Sequence, residues 1–213
     1  MPFNDWLSLA IICILGAFSP GPSLMVILTL TASDGRRSGL KASLGHGLGV
    51  FLYALFSTST LGLLLTMYKQ LFVFVQISGA IFLCYLGIRI IWSSFAIKLN
   101  NAAASVSHKK VSKAFFDGFL IAILNPKIGV FFFSLFSQFL MPKQTAMTHL
   151  GMASLAGFID TIAYIIMVLL FSTSVMLTFF SLYKKSVQFF FGVILIFLSL
   201  SLCLTLIMEY YNF

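Results

Sequence analysis

The chain has 213 residues, of which 60% are hydrophobic and only 8% are charged, and its mean hydropathy is +1.07. A soluble domain of this size could not keep such a composition in solution, so a polytopic membrane protein is expected. The formal net charge of +8 does not indicate a nucleic-acid partner, because the basic residues are dispersed among short loops.

Six apolar runs are long enough to cross about 30 Å of hydrocarbon as helices. They cover residues 6–31, 41–67, 71–95, 114–140, 149–171 and 186–208. Alternating short strands of the barrel type are absent from the sequence, so the predicted fold class is all-α. The N-terminal stretch carries Asp5 and no basic residue, unlike a cleaved signal peptide, and is expected to remain in the protein.

Prolines interrupt the first and the fourth apolar runs. Proline lacks a backbone N–H and costs roughly 3 kcal/mol inside a helix, so each of these runs is predicted to contain two half-helices. Ser19 before Pro20, and Asn125 before Pro126, read as an N-cap followed by the first helical residue. A half-helix that starts at this depth directs unpaired N–H groups and a positive dipole end at the middle of the bilayer, where an anion such as a carboxylate can bind.

The residues predicted to bind substrate lie at these two interruptions and in the fifth run. They are Ser19, Pro20, Gly21, Pro22, Asn125, Pro126, Lys127 and Asp160.

The second run begins with a ladder of glycines, and no strand precedes it. This context favours close helix packing through small residues over a phosphate-binding loop. His46 lies within the ladder, near the expected cytoplasmic end of the run. Both a hydrogen-bonded structural role and a gating or proton-relay role for this histidine remain open. The predicted packing or gating residues are Gly39, Gly45, Gly49 and His46.

One long polar connection, residues 98–113, divides a single transmembrane transporter domain into two halves of three spans each. These halves are residues 1–97 and 114–213. Because three is an odd number, the second half must enter the membrane in the opposite sense to the first.

A sequence shift of 106 places Pro20 on Pro126, and a shift of 105 places Gly87 on Gly192. Two inverted three-helix repeats with broken helices 1 and 4 are therefore predicted. Such repeats, interrupted at matching positions, are typical of secondary transporters that bind substrate at the bilayer midplane.

Asp160 lies near the centre of the fifth run, where a carboxylate costs several kcal/mol unless it is paired, protonated or hydrated. Ala156, Gly157 and Tyr164 share its helical face, and the small side chains allow span 4 to approach. Lys127 is the expected partner of this carboxylate. A structural ion pair remains open beside a role in substrate or proton binding, and Asp160 is the predicted coupling residue.

The distribution of the thirteen Lys and Arg residues predicts the topology. One side of the membrane has ten of them: Arg36, Arg37, Lys41, Arg89, Lys98, Lys109, Lys110, Lys113, Lys184 and Lys185. The other side has only Lys69 and Lys143, and the thirteenth, Lys127, falls within the fourth run. The positive-inside rule then places both termini of a multi-pass protein of the inner or plasma membrane on the non-cytoplasmic side.

Several motifs occur in a characteristic order along the chain. They are Ser19-Pro20-Gly21-Pro22, Gly35-Arg36-Arg37-Ser38-Gly39, the glycines Gly45 and Gly49, and Asn125-Pro126-Lys127 followed by Phe131-Phe132-Phe133. In this combination the sequence resembles the LysE/RhtB family of amino-acid exporters over essentially its whole length. The resemblance implies efflux of amino acids or related small metabolites, driven by an ion or proton gradient. Many members carry an acidic residue where Val50 stands here, so the charge preference for substrate and a second proton site remain open.

The predicted function is thus a secondary active exporter coupled to proton antiport, without catalytic residues, metal ligands or a cofactor. Its expected partners are a small-molecule substrate, protons and the lipid bilayer, with no nucleic acid, and a homodimer remains open. A thiol-disulfide electron carrier would need paired cysteines, whereas Cys13, Cys84 and Cys203 lie far apart. A metal exporter would need several Asp, His or Cys residues within the membrane, and only Asp160 is central.

Overall fold

The structure is a computed structural model that describes residues 1–19, 21–95, 113–142, 144–171 and 185–208, the last with gaps at 187–188, 191, 198, 202 and 205–206. Its helices are α1 (Phe3–Phe18), α2 (Pro22–Asp34), α3 (Arg36–Met67), α4 (Lys69–Phe95), α5 (Ala114–Ile123), α6 (Pro126–Phe136), α7 (Ala146–Phe171) and a short apolar helix α8 (Gly192–Ser201). These ranges contain no strand. The predicted all-α class is confirmed.

Three helices, α3, α4 and α7, are each long and apolar enough to cross a membrane. Two further spans arise if each bent pair crosses once: α1 and α2 meet at 55°, and α5 and α6 at 56°. The described ranges therefore supply up to five candidate spans by length and composition. Much of the sixth predicted run, 186–208, and nearly all of the predicted linker, 98–113, lie outside those ranges or are described with gaps.

The break between α5 and α6 has the predicted form. Pro126 is the first residue of α6, and the side chain of Asn125 accepts a hydrogen bond of 3.0 Å from the backbone N–H of Lys127. This bond satisfies one of the N–H groups that a helix start leaves unpaired. Asn125 also donates a hydrogen bond of 2.9 Å from its side-chain nitrogen to the Ser23 hydroxyl group, which links the two breaks directly.

The break between α1 and α2 differs from the prediction. Helix α2 begins at Pro22 with Gly21 as its N-cap, while Ser19 caps the end of α1, so the predicted helix start at Ser19 and Pro20 is wrong. A residue before proline is disfavoured in the helical region, which keeps Gly21 in an extended conformation and delays the helix to Pro22. Pro20 itself lies outside the described residues.

Helix α3 packs against α5 on one side and α7 on another. Glycines of all three helices lie where the helices approach each other most closely. A Cβ atom added to Gly49 would lie 2.6 Å from the Cβ of Ala122, and one added to Gly45 would meet the backbone carbonyl of Phe115. Gly39, nearer the start of α3, faces Thr31 and Val168 in the same way. These contacts bring the backbones close together and leave no room for larger side chains.

The outer surface of the bundle is apolar. Large hydrophobic side chains are exposed on α3, α4, α5 and α7, among them Phe56, Ile81, Phe116 and Phe158. A soluble protein would bury such side chains, whereas a membrane protein presents them to lipid. Together with the candidate spans, this surface identifies the chain as a multi-pass membrane protein.

Candidate functional site

The two breaks and the middle parts of α3 and α7 line a cavity of about 60 Å³. Its polar lining residues are Ser19, Ser23, His46, Asn125, Lys127, Asp160 and Tyr164. Its other lining residues are Cys13, Gly16, Ala17, Gly21, Pro22, Val50, Ile128, Phe131, Phe132 and Ala156.

On the α7 side of the cavity, Asp160 forms a buried pair with His46 of α3. The imidazole Nδ1 lies 2.7 Å from the carboxylate Oδ2, and the two residues are 1% and 8% exposed. A carboxylate has no proton to donate, so this contact requires the proton on Nδ1 of the histidine. The hydrogen bond gives the buried carboxylate a donor, but a neutral imidazole does not compensate its charge.

The ring of His46 is fixed on its other side as well. It stacks on the ring of Tyr164, one helical turn beyond Asp160, with centroids 4.3 Å apart and planes inclined by 18°. The second ring nitrogen, Nε2, is buried and has no hydrogen-bond partner among the described residues. Most buried nitrogen atoms in proteins have a hydrogen-bond partner, so this one calls for an explanation.

Lys127 contributes a basic group to the lining. Lys127 is the second residue of α6, and its ammonium Nζ lies 3.6 Å from the point that a Cβ atom on Gly21 would occupy. A lysine on one bent pair thus reaches the break of the other. In the described part of the chain, Lys127 makes no ion pair with Asp160.

The cavity contains most of the residues that the sequence singled out for substrate binding. Ser19, Gly21, Pro22, Asn125, Lys127 and Asp160 all line it, while Pro126 is exposed and does not. The expected partnership of Asp160 with Lys127 is wrong, because His46 of α3 occupies the position beside the carboxylate. The close approach of α3 to α7 brings the histidine there, while the ammonium group of Lys127 lies beside Gly21 at the first break.

His46 is the residue whose place sequence reasoning missed. The sequence did contain a signal for the contact between His46 and Asp160. The second and fifth apolar runs, which form α3 and α7, both have a series of small residues with an ionisable side chain in or next to it. Two helices that pack through glycine can bring such side chains into contact. Val50, one helical turn beyond His46, is buried against the same cavity.

The described residues contain no cluster of three or more His, Cys, Asp or Glu side chains able to hold a metal ion. Cys13 lines the cavity, and the three cysteines are present as free thiols. The lining therefore offers one carboxylate, one imidazole and one ammonium group to a ligand.

Comparison with known proteins places this architecture in a family. The LysE type translocator family matches residues 14–206. The threonine efflux protein of Salmonella typhi is 27% identical over 160 residues, which cover 74% of this chain and 76% of that protein. The threonine efflux protein of Escherichia coli K12 is 25% identical over 160 residues, 75% of this chain and 77% of that protein.

A third relative has a different name. The homoserine/homoserine lactone efflux protein of Salmonella typhimurium is 28% identical over 144 residues, which cover 68% of each chain. No solved structure matches this chain. Since the family match spans nearly the whole sequence, including both helix breaks, the chain belongs to the LysE type translocator family.

Proposed function

We propose that this protein is a secondary active exporter of amino acids or related small metabolites, coupled to proton antiport across the cell membrane. The observation that carries this proposal is the charge pattern of the cavity. A buried carboxylate from Asp160 and an ammonium group from Lys127, which do not pair with each other, both face one space of about 60 Å³. This pattern is complementary to a zwitterionic amino acid.

The proposed binding mode follows from the positions of these groups. The substrate carboxylate binds near Lys127, where the N-termini of α2 and α6 add their positive dipole ends. The substrate ammonium group binds to Asp160, and the apolar wall formed by Val50, Phe131 and Phe132 receives the side chain. Ser19, Gly21, Pro22 and Asn125, which line the same cavity, contribute backbone and side-chain polar groups at the breaks.

The size of the cavity and the names of the relatives favour a small substrate. Relatives are named for efflux of threonine and of homoserine and its lactone. Each of these molecules has few heavy atoms, which suits a cavity of about 60 Å³.

We also propose the transport architecture: six helices in two inverted three-helix repeats, with broken helices 1 and 4 and both termini on the non-cytoplasmic side. Two reciprocal glycine contacts between corresponding spans support it. Gly47 of α3 and Gly157 of α7 each face the other's backbone carbonyl, and Gly87 of α4 and Gly192 of α8 do the same. Contacts of this kind are expected where a two-fold axis relates spans 2 and 5, and spans 3 and 6.

A growth-protection screen tests the function. The protein is expressed in a host without its own amino-acid exporters and challenged with L-threonine, L-homoserine, homoserine lactone, the other single amino acids and a set of metal salts. We expect protection against one or a few small amino acids, followed by faster efflux of the same radiolabelled compound from preloaded cells. Protection against metals alone would contradict the proposal and favour the metal-exporter alternative.

A pair of lysine variants makes the screen specific to the cavity. Lys127→Met removes the ammonium group from the cavity, and Lys41→Met makes the same change at an exposed position of α3. A charge-assisted hydrogen bond to a carboxylate contributes about 1.5–3 kcal/mol, so Lys127→Met should raise the KM for efflux about ten- to a hundredfold. Equal KM values for the two variants would remove Lys127 from the binding site.

A further inference from the structure

The pairing of His46 with Asp160 indicates how protons exchange for substrate in the proposed exporter. We infer that a proton on His46 and the ammonium group of the substrate compete for the same carboxylate, Asp160, so that binding of one releases the other. This inference rests on the proposed function and adds to it the identity of the proton carrier and a one-for-one exchange.

The net charge of the His46–Asp160 pair depends on whether the imidazole carries one proton or two. With the proton on Nδ1 donated to Asp160, a neutral imidazole leaves the buried carboxylate with an uncompensated negative charge. Such a charge is strongly unfavourable in a low-dielectric environment. A second proton on the ring gives an imidazolium that neutralises it.

The second proton of the imidazole binds at Nε2. His46 lines the cavity, and its Nε2 is buried and has no hydrogen-bond partner among the described residues. It is therefore the atom that takes up and gives off the exchanged proton, while Nδ1 keeps its bond to Asp160 throughout. The stacked ring of Tyr164 holds the imidazole in this orientation.

One positive charge is enough to neutralise the Asp160 carboxylate. A primary ammonium group of the substrate neutralises Asp160 as well as the imidazolium does, and two cations at one carboxylate repel each other. The other titratable groups on the cavity wall are Cys13 of α1, Lys127 of α6 and Tyr164 of α7. Of these, only Lys127 is a cation, and its charge opposes a second cation in the cavity.

The exchange then follows from the order of events at each face. At the cytoplasmic face, the substrate ammonium binds Asp160 and the proton leaves Nε2 of His46 for water. At the outer face, a proton from water binds Nε2 and the substrate ammonium leaves. Each cycle moves one substrate out and one proton in, and no proton is gained or lost by the protein.

Proton counting by calorimetry tests the inference on purified full-length protein. Binding of L-threonine and of L-homoserine is measured in two buffers of different ionisation enthalpy, at several values between pH 5.5 and 7.5, where histidine ordinarily titrates. We expect release of up to one proton for each bound amino acid. The Kd should rise by up to about tenfold for each unit of acidification, the limit for exchange of a single proton.

Two variants separate the proposed role from a structural one. His46→Asn keeps a side-chain N–H near the Nδ1 position but cannot take up a second proton, so we expect no proton release and a Kd that does not change with pH. His149→Asn is the matched control, because His149 lies on α7 beside Gly62 and does not line the cavity. It should release protons as the parent does.

The outcomes distinguish the two proposals. A parent that binds either amino acid without releasing a proton, or a His46→Asn variant that still releases one, overturns the inference and leaves the exporter intact. If His46→Asn does not fold, proton release by the parent protein on binding is the measurement that tests the inference. A parent that neither binds nor exports any amino acid overturns the proposed function, and this inference falls with it.

Discussion

The contact between Gly157 of α7 and α3 should set the distance between His46 and Asp160. A Cβ atom added by Gly157→Ala would lie 2.7 Å from the Cβ of Phe51 and 3.1 Å from the carbonyl oxygen of Gly47. Carbon atoms in contact normally lie about 3.5–4.0 Å apart, so α7 must move away from α3 by about 1 Å. Because the obstacles are Cβ and backbone atoms, rotation of a side chain cannot relieve them.

This displacement has a calculable effect on the pair. Asp160 is one turn beyond Gly157 on the same helix, so a shift of about 1 Å would lengthen the 2.7 Å contact with His46 beyond the usual limit of about 3.2 Å for a hydrogen bond. Overpacking of this kind also costs about 1–3 kcal/mol of stability. We therefore expect Gly157→Ala to lower the unfolding temperature in detergent and to weaken efflux driven by a pH gradient in proteoliposomes.

Gly151→Ala is the control on the same helix. The added Cβ would lie 3.0 Å from the indole ring of Trp6, a side chain that can yield by a few tenths of an ångström. It should change stability and transport little. Parental stability and pH-driven efflux in Gly157→Ala would refute the reasoning, as would equal losses in the two variants.

Other predictions concern the break, the carboxylate and the topology. Asn125→Ala removes the cap on Lys127 and the bond to Ser23 and should cost about 2 kcal/mol in thermal unfolding, from about 1 kcal/mol for each contact. Asn125→Ser, which retains a capping oxygen, should recover about half of that loss, and identical stabilities would argue against the cap. Asp160→Asn should reach the membrane in normal amount, lose efflux driven by a gradient and retain exchange of substrate for substrate; undiminished accumulation in proteoliposomes would exclude Asp160 as the coupling group. Reporter tags on both termini should respond on the non-cytoplasmic side, and cytoplasmic activity at both ends would reverse the orientation.

The sequence by itself determined the class of the protein and which two apolar runs contain a break. Composition and the lengths of the apolar runs require a membrane, because they depend only on hydrophobicity and on the rise of a helix. The break at Asn125 and Pro126 was predictable as well, since an N-cap followed by proline is a local signal. Asp160 stood out for the cost of burying a carboxylate.

Local signals were weaker where two prolines compete. The start of α2 lies at Pro22 and not at Pro20, because the conformation of Gly21 depends on the proline that follows it. The sequence offered two helix starts of similar quality, and the N-cap rule does not choose between them.

Only the tertiary structure decided which charges meet. His46 and Asp160 are 114 positions apart, and they pair because glycines allow α3 and α7 to approach at backbone distance. Lys127 looked like the partner since it was the one Lys or Arg not assigned to either side of the membrane, but helix packing directs it towards the first break, beside Gly21. Spacing along one helix fixes which residues share its face, whereas the partner of a buried charge depends on the crossing of two helices, which no single run of sequence contains.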